Sequence, residues 1–379
     1  MKGVVSNKIV LIVGAGPAGL AIGARLERAS IPYRILESSN EIAPKWLEYY
    51  DRLHLHTSKK NSHLPFAPFP KHFPTFISKT LFYDYLHSYA MEHSLKIEFN
   101  ANVEELEKVK NGYQLIVNGE SRECKSVVIA TGLNNQPLLP FWAKDSKIPL
   151  IHAKEYRNPS QFKIKSAIVV GFGNSGAEIA LDLAENGIQT FCSIRNEVNI
   201  IPLKVNGKPT QEAGKLLEYL PFNWGDKIGK WISRRIIGDL SSYGIKISSM
   251  TPAEQLKKTG RTPVMDLGTI EMIKDGNISV KPDISRVDHK IYFTDDTELE
   301  VDQIICATGY GNGLGTLLGS VSKYLDESGD PPMVGQGQLQ GLYFLGFNNH
   351  TLGGVLSNIR ENSDLISKEI EQQFRSLDD

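Results

Sequence analysis

The chain has 379 residues, of which 41% are hydrophobic and 22% charged, and carries a formal net charge of −1. It is long enough for two domains, and its composition is that of a soluble globular protein. Near-neutral charge gives no electrostatic ground for a nucleic acid or an anionic membrane as partner, and no apolar run approaches the ~20 residues a membrane helix needs.

"MKGVVSNK" leads straight into an apolar run, so no signal peptide is expected and the cytoplasm is the default location. Residues 8–13 read as a buried parallel strand, 17–29 as a small-residue helix and 33–37 as a second strand. Between strand and helix stand Gly14, Gly16 and Gly19 in G-x-G-x-x-G spacing, with Pro17 and Ala18 opening the helix. The first glycine permits the tight turn, the second lets backbone approach a pyrophosphate, and the third lets the helix pack close. The helix N-terminus offers free N–H groups and a favourable dipole to phosphates. Glu37 follows Gly19 by 18 residues, at the strand end where an acid grips ribose hydroxyls. These features predict FAD, or another adenosine with a free ribose.

Residues 41–76 are aromatic, proline-rich and histidine-bearing. A stretch that long and irregular in a compact domain is usually functional or mobile. A helix is expected at about 79–93, then strands near 96–99, 113–117 and 127–130 leading into Ala130, Thr131 and Gly132.

Prolines 137, 140 and 149 mark a boundary, and the glycine device returns. After a strand at 166–170 come Gly171, Gly173 and Gly176, with Asn174 and Ser175 between them. The next strand carries Arg195 where the first unit carries Glu37. An acid there repels a 2′-phosphate and an arginine pairs with it, which predicts NADPH at this site. Lys204 reads as a second phosphate contact or a solvated lysine. The segment 202–250, with Trp224 and Trp231, reads as a pocket wall, as aromatic packing or as an oligomer contact. "LEVDQIICATGYG" at 299–311 then repeats "SVVIATGLN" and supplies Ala307, Thr308 and Gly309. The last motif, "GLYFLGFNNHTLGGVLSNI", reads as a strand ended by Gly346, a turn at Gly353 and Gly354, and a helix.

The expected architecture is α/β, with two Rossmann-like dinucleotide-binding domains. The FAD-binding domain takes 1–150 and 300–379, and the NADPH-binding domain, 151–299, is inserted into it. Two nucleotide sites in one chain imply electron traffic from NADPH to a flavin. A disulfide reductase would pass the electrons to a redox pair of cysteines. Cys124, Cys192 and Cys306 form no such pair and no metal-ligand cluster, so buried free thiols are expected and oxygen becomes the natural acceptor.

Longer motifs carry a family resemblance across nearly the whole chain. "VGAGPAGLA", "WLEYYDRLHLHTSK" with "LPFAPFP", "VVGFGNSGAEIALDLA", "GRTPVMDLGTIEMIKDG" and "VDQIICATGY" together resemble the flavin-containing monooxygenases, most of all the plant YUCCA branch and its bacterial relatives. The family fingerprint F-x-G-x-x-x-H-x-x-x-[YF] is matched by "SKIPLIHAKEY". His152 and Tyr156 stand in place, while Ser146 and Ile148 replace the phenylalanine and glycine. The resemblance implies NADPH-dependent reduction of FAD and a flavin C4a-(hydro)peroxide that oxygenates a small molecule with dioxygen. In the YUCCA-like branch this is oxidative decarboxylation of an aryl-2-oxo acid such as indole-3-pyruvate. N- or S-oxygenation of a small amine or sulfide, and an uncoupled NADPH oxidase or flavin reductase, stay open, as does a homodimer.

The resemblance also implies roles for single residues. His56 falls where the family places a polar side chain near the flavin, and a locally bonded histidine is the rival reading. Trp46 and Arg52 help hold FAD, whereas Lys59, Lys60 and His63 are solvated. The Ala307–Gly309 stretch connects the nucleotide domains, with Asp302 before it. The helix start at Leu352 points its dipole at the flavin's pyrimidine end.

Overall fold

The computed structural model describes residues 9–205, 207–210, 212, 224–326, 329–332, 339–348, 350 and 353–375. The chain divides into two compact units. Met1–Leu47, Lys59–Gln136 and Tyr310–Asp379 make the first, and Glu48–Ser58 with Pro137–Gly309 make the second. The second unit is thus wider than 151–299, and it takes in a segment, 48–58, that the sequence places with the first. The physical reason is Tyr50, which is 2% exposed and belongs to a core with Tyr156, Ala177, Leu183 and Cys192.

Each unit is built on a five-stranded parallel sheet. In the first the order is Leu342–Phe344, Ser126–Ile129, Val10–Val13, Tyr33–Leu36, Ile97–Glu98. In the second it is Leu150–His152, Gln303–Cys306, Ser166–Val170, Gln189–Ser193, Ile278–Lys281. The glycine-loop strand is central in both. On one side lies the strand that runs into Ala-Thr-Gly, and on the other the strand that runs toward Glu37 or Arg195. Short, unbroken apolar runs suit this place because a central parallel strand is covered on both faces. Val10, Ile12, Ala167, Ile168 and Val169 have no exposed surface.

The duplication extends further. Between its third strand and its Ala-Thr-Gly strand each unit inserts a three-stranded antiparallel meander. The first comprises Val103–Val109, Gly112–Val117 and Glu120–Cys124, and the second Ile284–Val287, Ile291–Phe293 and Glu298–Leu299.

The helix Pro17–Arg28 follows the first glycine loop, and the helix Gly354–Arg375 packs against it. Arg25 joins them. Its Nη1 lies 2.6 Å from Asp364 Oδ1, its Nε donates to Ser363 Oγ at 2.9 Å, and its Nη2 donates to the Arg360 carbonyl at 3.0 Å. Burial pulls the Arg25 pKa down and Asp364 pulls it back, so the guanidinium depends on these partners. An Arg25→Met variant keeps the aliphatic packing and loses all three bonds. It is expected to destabilise the protein by about 2 kcal/mol, read as a lowered midpoint in thermal unfolding.

Candidate functional site

The two glycine loops have one geometry. Gly14 has φ +104° and Gly171 has φ +99°, a left-handed turn that favours glycine. A Cβ on Gly14 would sit 2.8 Å from the Ala130 carbonyl oxygen, and one on Gly171 would sit 2.6 Å from that of Ala307. Each loop is therefore pressed against its own Ala-Thr-Gly turn. A Cβ on Gly19 would sit 1.9 Å from the Gly14 oxygen, and one on Gly176 would sit 2.1 Å from the Gly171 oxygen. These four glycines are demanded by the chain itself.

Gly16 and Gly173 are different. Both are extended (φ −80° and −88°), and a Cβ on either would meet nothing within 4 Å. Among the described residues nothing requires glycine there, and the open space is what a pyrophosphate needs. Neither helix, Pro17–Arg28 or Asn174–Glu185, has a side chain capping its N-terminus or an acid in its first turn. Their leading N–H groups are thus left to an anion. Gly132 and Gly309 are likewise left-handed and open on the Cβ side. Among the described residues the buried Thr131 hydroxyl has no hydrogen-bond partner, whereas its counterpart Thr308 donates to the Leu138 carbonyl. An orphaned buried hydroxyl beside an open glycine cradle fits a bound dinucleotide in the first unit.

Glu37 is 8% exposed. Its Oε2 accepts the Ala15 amide N–H at 2.8 Å, inside the glycine loop, and its Oε1 accepts Ser39 N–H at 3.0 Å. The register corrects the expectation that Arg195 occupies the same place. Gly14 N–H donates to the Leu36 carbonyl and Gly171 N–H to that of Ser193. Leu36 thus matches Ser193, Glu37 matches Ile194, and the exposed Arg195 matches Ser38. The contrast between the sites remains: an acid in one, an apolar residue followed by an arginine in the other.

Asn174 opens the second glycine helix, but its side chain faces the protein. Its Oδ1 accepts Met265 N–H at 2.7 Å, and its Nδ2 donates to Thr262 Oγ1 at 3.2 Å and to the Pro263 carbonyl at 3.3 Å. The motif "GRTPVMDLGTI" is explained by this clamp. Asp266 Oδ1 accepts the N–H groups of Gly268 and Ile270, and Thr269 donates to the Ala177 carbonyl. The motif is a strap that holds the glycine helix.

The segment 48–58 reaches this helix from outside the expected domain. Glu178, Asp182 and Glu185 share one helix face. His56 Nε2 contacts Glu178 Oε1, and Arg52 Nη1 lies 2.8 Å from Glu185 Oε2 and 3.4 Å from Asp182 Oδ1. Arg52, expected beside FAD, is ion-paired within the second unit. Glu178 and its neighbours were missed from the sequence. Acids spaced at i, i+4 and i+7 in an otherwise apolar, small-residue helix were the available signal.

The fingerprint residues do structural work. His152 is 2% exposed, and its Nδ1 accepts Lys154 N–H, which leaves Nε2–H to donate to the Gly309 carbonyl at 3.1 Å. Burial pushes its pKa down and so favours this neutral form. His152 thereby holds the second Ala-Thr-Gly turn. Tyr156, with no exposed surface, donates to Asp182 Oδ2 at 2.7 Å. Ile148, where the family has glycine, fills a core with Trp142 and Phe293, and Ser146 Oγ donates to the Ile148 carbonyl.

Trp46 stacks edge-on against Phe82, with ring centroids 4.5 Å apart, in the first unit. Lys59 is not simply solvated: its Nζ donates to the Lys71 and Phe73 carbonyls. Nor is His63, whose Nδ1 bonds the Leu64 carbonyl. Lys204 is exposed. Asp302 Oδ2 accepts the N–H groups of Lys165 and Ser166 at a strand edge. Trp231 is exposed, while the side chain of Trp224 lies outside the described residues, as does Leu352. All three thiols are buried, and desolvation pushes Cys124, Cys192 and Cys306 each up to about 12. None of them can act as a thiolate nucleophile near neutral pH. No helix of the described residues is long and apolar enough to cross a membrane.

Comparison with known proteins agrees with this geometry. A family model described as pyridine nucleotide-disulphide oxidoreductase matches residues 11–203. The probable indole-3-pyruvate monooxygenase YUCCA9 of Arabidopsis thaliana is 35% identical over 363 residues, covering 91% of this chain and 85% of its own length. The indole-3-pyruvate monooxygenase YUCCA1 of Oryza sativa subsp. japonica is 34% identical over 380 residues, covering 97% and 92%. Among solved structures, a flavin-containing monooxygenase from Stenotrophomonas maltophilia superposes with TM-score 0.70 at 19% identity, covering 95% of this chain and 98% of its own. A bacillithiol disulfide reductase from Bacillus cereus gives 0.69 at 17% identity, covering 97% and 99%. At such identities the likeness is one of fold, which oxygenase and reductase share.

Proposed function

The chain belongs to the indole-3-pyruvate monooxygenase family of flavin-dependent monooxygenases, and on that premise we propose that it binds FAD in its first unit and NADPH in its second and oxidatively decarboxylates an aryl-2-oxo acid. The observation that carries this reading is the doubled glycine loop with unlike ribose ends. Glu37 stands at the first, where an adenosine ribose carries free hydroxyls. Ile194 and Arg195 stand at the second, where no acid opposes a 2′-phosphate and a guanidinium is available to pair with it. Indole-3-pyruvate, named for the relatives, is the first substrate to test.

When bound, NADPH supplies the hydride, and FAD supplies its transfer and the activation of dioxygen. The overall reaction balances as 2-oxo acid, dioxygen, NADPH and a proton giving the shortened carboxylic acid, carbon dioxide, NADP⁺ and water. The protein's share is positional. Gly16 and Gly173 leave room for pyrophosphates, and the N–H groups of the two helices hold them. Thr131 offers an unused hydroxyl, and Glu37 and Arg195 sort the two riboses. His152 fixes the turn at Gly309, and the strap 262–270 fixes the helix that carries the second loop.

The test is NADPH consumption with a panel of 2-oxo acids, amines and sulfides, with products identified by mass spectrometry. Arylpyruvates are expected to raise NADPH turnover and to yield the acid one carbon shorter. A panel in which only amines or sulfides are oxygenated would replace the substrate class. NADPH loss matched by hydrogen peroxide with every compound would make the protein an oxidase.

A further inference from the structure

We propose that Glu178 is a positioning residue that fixes the tautomer of His56, leaving Nδ1 as a hydrogen-bond acceptor for a donor group of the nicotinamide nucleotide. The donor is a ribose hydroxyl or the carboxamide N–H. The inference rests on the reading that the second glycine loop holds NADPH.

Glu178 lies two residues beyond Gly176, on the helix that the second loop opens, and is 1% exposed. An ionised carboxylate can only accept hydrogen bonds. Among the described residues the hydrogen-bond contact of this buried carboxylate is with His56 Nε2, so a ring proton belongs on Nε2. In the neutral ring Nδ1 is then a bare lone pair. It makes no hydrogen bond to the described residues, and the side chain is 23% exposed, so Nδ1 is open to a ligand. The other histidines of this stretch differ: His54 uses Nδ1 on the Arg52 carbonyl and His63 uses it on the Leu64 carbonyl.

A second observation points the same way. Glu178 Oε2 and the Tyr50 hydroxyl are both buried without a hydrogen bond of good geometry. The Tyr50 hydroxyl lies against Ser175 and Glu178, and burial pushes its pKa well up, so it stays a protonated donor beside the carboxylate. Tyr50, Ser175, Glu178 and His56 thus form a polar cluster at the first turns of the nucleotide-binding helix. It is only partly satisfied by the protein, and such a cluster is completed by a ligand or water.

The experiment is nitrogen NMR of the histidine rings in FAD-loaded protein, with His56 assigned by its loss in His56→Asn, alongside calorimetric titration with NADP⁺. Without nucleotide, His56 is expected as the Nε2–H tautomer, and adding NADP⁺ is expected to shift the Nδ1 resonance toward that of a hydrogen-bonded acceptor. Glu178→Gln keeps an accepting oxygen and should preserve both tautomer and affinity. Glu178→Leu should lose the tautomer preference and, like His56→Leu, weaken NADP⁺ binding about 3- to 10-fold, the worth of one net hydrogen bond. An Nδ1–H tautomer or a doubly protonated ring in the wild type would overturn the proposal, and so would a Glu178→Leu protein that binds NADP⁺ normally. If the wild type binds no NADP⁺ at all, the acceptor role and the assignment of the second loop both fail. The nucleotide-free spectrum judges the Glu178–His56 pairing independently.

Discussion

Gly16→Ala is expected to yield a folded, colourless protein without NADPH-dependent oxygenation, and Gly173→Ala a folded, yellow one that no longer binds NADPH tightly. The argument is one of space. Both positions have extended backbone that alanine adopts freely, and an added Cβ meets no protein atom within 4 Å. The methyl group instead occupies the approach of the pyrophosphate to the helix N–H groups. Gly19→Ala and Gly176→Ala are the controls. Their Cβ atoms would lie 1.9 Å and 2.1 Å from the carbonyl oxygens of Gly14 and Gly171. Strand, turn and helix must move apart, at a cost of about 3 kcal/mol or more, and the damage appears in thermal unfolding whether or not nucleotide is present. Flavin absorbance after purification separates the two classes. A Gly16→Ala protein as yellow as the wild type would remove FAD from the first loop.

The second large effect falls on Arg195. Arg195→Ala is expected to raise the Michaelis constant for NADPH by about 10- to 100-fold, the worth of a charge-assisted hydrogen bond to a phosphate, and to leave that for NADH nearly unchanged. The exposed position of Arg195, two residues past the strand Gln189–Ser193, gives its side chain reach without a folding role, so the variant should unfold like the wild type. Restoring an acid in the register of Glu37, by Ile194→Glu, should push preference further toward NADH by repelling the 2′-phosphate. Equal changes for the two nucleotides would refute the assignment.

The doubled device was legible because its glycines are forced by backbone geometry. Turn, close approach and helix packing each require the residue at a fixed spacing, and the same spacing recurs with the same Ala-Thr-Gly turn. The exact match of Glu37 and Arg195 was misread, although the spacing held the correction: Glu37 follows Gly19 by 18 residues, while Arg195 follows Gly176 by 19. The meanders were only partly visible. In "VEELEKV" a single buried residue, Leu106, lies among charges that suit a helix as well as an edge strand. The placement of 48–58 was not legible at all. Tyr50, Arg52 and His56 are chosen by partners more than a hundred residues away, on the helix Asn174–Glu185, and no local pattern encodes that meeting.

The fingerprint shows the limit of motif reading from the other side. His152 and Tyr156 stand in the fingerprint, and both are satisfied by the fold, one through the Gly309 carbonyl and the other through Asp182. Ser146 and Ile148 depart from the pattern without harm because Ile148 fills a core and Ser146 bonds the local backbone.

Monooxygenation coupled to two nucleotides in one chain is tested most directly with isotopically labelled dioxygen, NADPH and indole-3-pyruvate. The predicted result is one labelled oxygen atom in the carboxylate of the product for each NADPH consumed. An unlabelled product, or NADPH consumption accounted for wholly by hydrogen peroxide, would contradict it.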